Sequence, residues 1–287
     1  MKQLIINEYK VGNKDLLGAK NIDDAMNILK RRRSSFGVST KLKQKDDSTI
    51  VESVVGIDGS GLIKLITAFH TLQSGNLKEA KEIAEQLNKE FIECSEVYRL
   101  LSFIADQEED YESAIKYIDR AIECDKENTF AWLHKGRLLL DVYEKTDDAK
   151  ECFNKCVEID DFMYQAYYDL GLIEINHYKS LLSMHTKKEL NEDLMLNEEL
   201  YEIHTRAFNN FQNAGAINRF FLDVYPNIAE LHLLNNDFKD CIQFINNSFN
   251  FMKYYGLYNA SNEKIIAKMK KQFEEAHLCL EIEKSMN

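Results

Sequence analysis

A chain of 287 residues with 45% hydrophobic content has ample material for a core, and its single proline and 11 glycines predict a nearly all-helical protein with little strand. A net charge of -12 disfavours general binding to phosphate backbones, which needs clustered cations. No stretch approaches the roughly 20 apolar residues of a membrane span, and Met1 to Asp15 lack the apolar run of a signal peptide. The expectation is therefore a cytoplasmic protein, with its six cysteines serving as reduced structural thiols.

Residues 1–60 form a region of their own. Leu4, Ile5 and Ile6 with Tyr9 and Val11 predict a short strand, and Asn21 a cap for a helix carrying Ile22, Ala25, Met26 and Leu29. Between Lys30 and Lys45 stand seven cations and no acid: Lys30, Arg31, Arg32, Arg33, Lys41, Lys43 and Lys45. This segment reads either as a tether for nucleic acid or an acidic membrane, or as a solvated linker. The linker is preferred, because only Phe36 is interleaved to stack on a base. Gly56, Gly59 and Gly61 lack the Lys-Ser or Lys-Thr pair of a phosphate loop, and they predict a turn leading to Ser60 as the cap of the next helix.

From residue 61 a pattern of small and apolar residues recurs. Ala68, Ala80, Ala84 and Leu87 mark a first unit over 61–94, and Tyr98, Leu101, Ser102, Ala114, Ile118 and Ala121 a second over 95–128. Trp132, Gly136, Phe153 and Cys156 mark a third over 129–163, with Ala149 one residue late through an insertion in the turn around Glu144 to Thr146. A fourth, 164–221, opens on Tyr167, Leu170 and Gly171. Its second helix returns only at Ala207, Phe211 and Ala214, after about two dozen inserted residues. Within that insertion Thr186 to Asp193 predict a polar turn, and Leu196, Leu200, Ile203 and Phe211 one face of a long helix. Tyr225, Ile228, Ala229, Cys241, Ile245 and Ser248 mark a fifth unit over 222–255. Ile265, Ile266, Met269, Phe273, Ala276 and Leu280 then predict a capping helix within 259–287. Small residues at Ala68, Ser102, Gly136, Gly171 and Ala229 let helix backbones approach closely.

The 34-residue interval from Ala80 to Ala114, with these residues around it, resembles the tetratricopeptide repeat (TPR) family over roughly residues 61–255. The resemblance implies an all-α, right-handed superhelical solenoid of about five helical hairpins, a capping helix, and a short nonrepeat N-terminal region with a basic linker. It also implies that first helices line a concave groove for a peptide or helix. Transferred to this chain, that groove takes Leu65, Phe69 and Leu72, then Arg99, Phe103 and Asp106, then Phe130, Leu133, Arg137 and Asp141, and last Tyr168, Leu172 and Asn176. The partner-binding set is Phe69, Arg99, Phe103, Phe130, Leu133, Arg137, Tyr168 and Leu172, with Arg99 and Arg137 orienting the ligand. The competing reading makes the same side chains core, covered by the protein's own N-terminal region or by tight packing. The family's clamp for chaperone tails is missing: Leu65, Phe69, Leu100, Phe130 and His134 stand where its Lys, Asn and Arg residues would be.

Glu174 with His177, and Glu274 with His277, have the three-residue spacing of di-iron ligand pairs, but they fall in units set apart along the solenoid. Cys152 and Cys156, one turn apart, read as one exposed and one buried thiol. No catalytic residue, metal or cofactor is expected. The functional expectation is a non-enzymatic adaptor that binds a peptide or helix of another protein. The alternatives are a regulatory or inhibitory protein controlling an enzyme, with the N-terminal region as a second contact surface, and a nucleic-acid-associated protein acting through residues 30–45.

Overall fold

The computed structural model describes residues 43–45, 48–50, 57, 59–185 and 194–286. The strand expected near Leu4, the helix after Asn21 and the turn from Thr186 to Asp193 lie outside the described residues. Apart from a two-stranded antiparallel ribbon, β1 (Lys43–Lys45) against β2 (Ser48–Ile50), the regular structure described is helical. The all-α expectation holds. The chain divides into two compact units, Met1–Glu144 and Lys145–Asn287.

The first unit contains α1 (Gly59–Gln73), α2 (Leu77–Glu90), α3 (Ser95–Gln107), α4 (Tyr111–Cys124) and α5 (Thr129–Asp141). Its turns show why the pattern repeats. Gly75, Glu109 and Glu144 all have positive φ, at 83°, 60° and 54°. Each precedes a crossing alanine (Ala80, Ala114, Ala149) by the same interval, so the single extra residue of the third repeat falls before Glu144, at the end of α5, rather than after it. A left-handed residue here reverses the chain between helices, and glutamate in that conformation costs roughly 1 kcal/mol that glycine avoids. Asn76 and Asp110 then accept from the backbone N–H of Glu79 and Ser113, capping α2 and α4.

Close crossing follows from the small residues. The Ser102 hydroxyl donates to the carbonyl of Ala114 at 2.8 Å, and the Ser95 hydroxyl to that of Ala121 at 2.7 Å. Leu65, Ala68, Ala80, Leu87, Leu100, Ala114 and Ile118 are fully buried around these crossings, and each large one contributes roughly 1.5–3 kcal/mol. At the helix entries the Tyr98 hydroxyl and the Trp132 indole N–H, 34 residues apart, donate to the carbonyls of Ile92 and Lys126, each six residues back. Ser60 is not a cap. α1 starts at Gly59, so Ser60 already lies within it, and Gly61 sits against Ile57 and Phe91, where a Cβ would come to 2.5 Å from both.

The second unit contains α6 (Thr146–Ile159), α7 (Tyr164–Met184), α8 (Leu194–Ile217), α9 (Val224–Leu234), α10 (Phe238–Tyr254) and α11 (Glu263–Met286). The insertion lengthens both helices of one hairpin: α7 has 21 residues and α8 has 24, against 13 and 14 for α3 and α4. Tyr178, Leu196, Leu200 and Ile203 fill the added interface, with Leu234 of α9 packed against it. Gly171 meets the buried Phe211 ring, which a Cβ would approach to 2.7 Å. Cys241 donates weakly to the carbonyl of Ala229, across the same crossing as Ser102 and Ala114 but with donor and acceptor helices exchanged. Cys152 and Cys156 are both buried, not one of each. Cys152 stands one turn before Cys156 and next to fully buried Phe153, so the packed face of α6 is wide enough to take all three.

Candidate functional site

The first unit presents three first helices, α1, α3 and α5, and six of the expected partner-binding residues lie on them. Phe69 and Phe103 are half-buried and meet edge to face, with ring centroids 6.3 Å apart. Phe130 and Leu133 are 7% and 6% exposed, and Arg137 is exposed. Arg99 points inward and is only 4% exposed. Tyr168 and Leu172 belong to the second unit, where the Tyr168 ring packs against Phe211 and Phe221 and Leu172 against the cluster of Ile175, Phe211 and Ile228.

A buried charge organises the face. The Arg99 guanidinium donates to Oε2 of Glu96 from Nε at 2.8 Å and from Nη2 at 2.6 Å, a forked pair formed across one helical turn. Three rings surround that cation: Phe69 at 4.5 Å, Phe130 at 5.5 Å and Phe103 at 5.6 Å from the guanidinium carbon. The other carboxylate oxygen of Glu96 accepts from Nδ2 of Asn128 at 2.9 Å, and the same amide donates to the Ser95 hydroxyl. Asn128 is itself the cap of α5, accepting from the backbone N–H of Ala131. One network thus ties α3 to the start of α5 and fixes the aromatic rings.

His134 completes the stack, its ring 3.8 Å from that of Phe103. Burial, then the charges of Arg99 and Arg137, push its imidazole down to about 3, so it is neutral at physiological pH. Glu96 and Asn128 are neighbours of this face that the repeat register does not reveal. Their signal in the sequence is the Glu-x-x-Arg spacing from Glu96 to Arg99, with a cap-forming Asn at the end of the same unit.

The Glu and His residues with di-iron spacing have other surroundings. Glu174, 1% exposed, accepts from Lys150 of α6 and from Arg206 of α8, while His177 is exposed. His277 meets Phe273 edge to face. No grouping of three or more metal-binding side chains occurs among the described residues.

Residues 95–128 and 131–162 match the model of the tetratricopeptide repeat. The chain carries tetratricopeptide repeats. Among curated proteins, the mitochondrial import receptor subunit TOM70 of Mus musculus is 28% identical over 108 residues, 38% of this chain. The human protein of the same name is 28% identical over 102 residues. The match spans less than a fifth of those relatives' length, 18% and 17%. Among solved structures, PilW, a type IV pilus biogenesis factor, superposes with a TM-score of 0.56 at 12% identity, covering 80% of this chain and 93% of that one. PilF of Pseudomonas aeruginosa gives 0.54 at 12% identity, covering 79% and 98%. At that identity the likeness concerns the fold. No described helix is long and apolar enough to cross a membrane.

Proposed function

We propose that this TPR chain is a non-enzymatic adaptor that holds a peptide or helix of a partner protein against the first-helix face of its first unit. Repeats of this kind are protein-interaction scaffolds, and the observation that supports this location is the half-exposed Phe69–Phe103 pair, held rigid by the buried Arg99–Glu96 pair behind it. Rigid aromatic edges that lose little freedom on binding are what an interaction surface needs. Phe130 and Leu133 form the floor, Arg137 the rim, and Arg99 holds the rings in place. Tyr168 and Leu172 remain proposed contacts in the second unit. All six cysteines are free thiols, which supports a reducing, cytoplasmic location.

Affinity capture with the intact chain tests this. A protein retained by the wild type and lost, by about tenfold or more, with Phe103→Ala and Arg137→Ala supports the proposed face. Equal recovery by wild type and variant transfers the function to another surface.

A further inference from the structure

The face described above ends at two carboxylates that form no ion pair among the described residues. Asp106 is the penultimate residue of α3 and Asp141 the last of α5. They lie one turn beyond Phe103 and two turns beyond His134, the two residues whose rings stack, so both carboxylates stand on the same face at the same end of their helices. Helix C-termini carry partial negative charge, and neither helix has a basic residue in its last turn. Among the described residues Asp106 and Asp141 form no ion pair, although Arg137 precedes Asp141 by one turn. Some acids elsewhere in this unit are paired, Glu90 with Lys64, Glu108 with Lys81, and Asp119 with Lys135.

Resting on the proposed adaptor function, we infer that the bound segment carries a lysine or arginine that seats against Asp106 and Asp141, next to large apolar side chains that pack on Phe69 and Phe103. Charge complementarity selects this partner. Asp141 is exposed and Asp106 half-buried, so both can be reached. Burial and then the neighbouring charge of Asp141 raise the carboxyl of Asp106 above its usual range, a mutual repulsion that a cation between them relieves. The overall charge of -12 also steers a basic segment toward the protein.

A phage-displayed random dodecapeptide library, selected on the full chain, supplies the probes. The enriched peptides are expected to combine large apolar residues with lysine or arginine, and to bind more weakly as salt is raised. Fluorescence anisotropy should show about tenfold weaker binding to the double variant Asp106→Asn, Asp141→Asn, with an unchanged melting curve. Enriched peptides without basic residues, or equal binding to the double variant, overturn the inference and leave the apolar face standing. Binding unaffected by Phe103→Ala overturns both. Self-association lost in the double variant, seen by sedimentation velocity, would put a second copy in that place. Displacement of the peptides by a synthetic segment of residues 30–45 would put the protein's own basic stretch there. Either result overturns the foreign partner.

Discussion

Each unit of the chain buries a glutamate, and the two are neutralised in opposite ways. Glu96 and Glu174 are both 1% exposed. Glu96 is met by Arg99, three residues on in the same helix and just as dry, and by Asn128. Glu174 is met from two other helices by Lys150 and Arg206, whose side chains are 37% and 46% exposed. The first arrangement is local and sealed by aromatic rings, and the second clamps three helices with cations that still touch water. A sealed pair has no solvent to replace a lost partner, whereas the clamp does.

The largest effect should come from Glu96→Gln. It strands a buried guanidinium and should cost about 3–5 kcal/mol in chemical denaturation. Adding Arg99→Met removes the stranded charge and should restore part of that loss. If the single variant costs no more than a surface change, the sealed-pair account fails.

The next effect is a pH dependence. His134 is held near 3, whereas its unfolded value is near 6.5, so the unfolded chain binds a proton that the folded chain refuses. The stability this contributes is present above about pH 6.5 and is lost as pH falls toward about 3, at up to about 1.4 kcal/mol per pH unit. Burial also lowers His204 and His232 in the second unit, which adds loss of the same sign. His134→Phe should therefore flatten the fall in melting temperature between neutral and mildly acidic pH without abolishing it. An identical slope would remove His134 from the account.

Glu174→Gln should have the smallest effect, about 1 kcal/mol, because Lys150 and Arg206 can turn to water. A cost as large as that of Glu96→Gln would show that the clamp, not the seal, governs how much a buried glutamate matters here.

Much of the fold was legible because its determinants recur. Ala80, Ala114 and Ala149 sit at crossings where only small residues fit, and the delayed return at Ala207, Phe211 and Ala214 located the inserted turns of α7 and α8. The candidate face was legible in outline only. A repeat register tells which side of a helix a residue occupies, but it does not tell whether a long side chain reaches outward or folds back. Arg99 folds back, because Glu96 lies one turn away and three phenylalanines screen it from water. Cys152 escaped for a related reason: a helix packed on a wide face buries neighbours of its marked positions as well as the positions themselves.

Trp132, the chain's one tryptophan, is anchored through its indole N–H to the carbonyl of Lys126, with Lys135 5.8 Å from its ring centre. Its emission is thus an optical reporter for the first unit alone, at the entry of the helix that carries His134. Set against far-ultraviolet circular dichroism, which sums over every helix, that one signal can show whether the two units melt together or in turn.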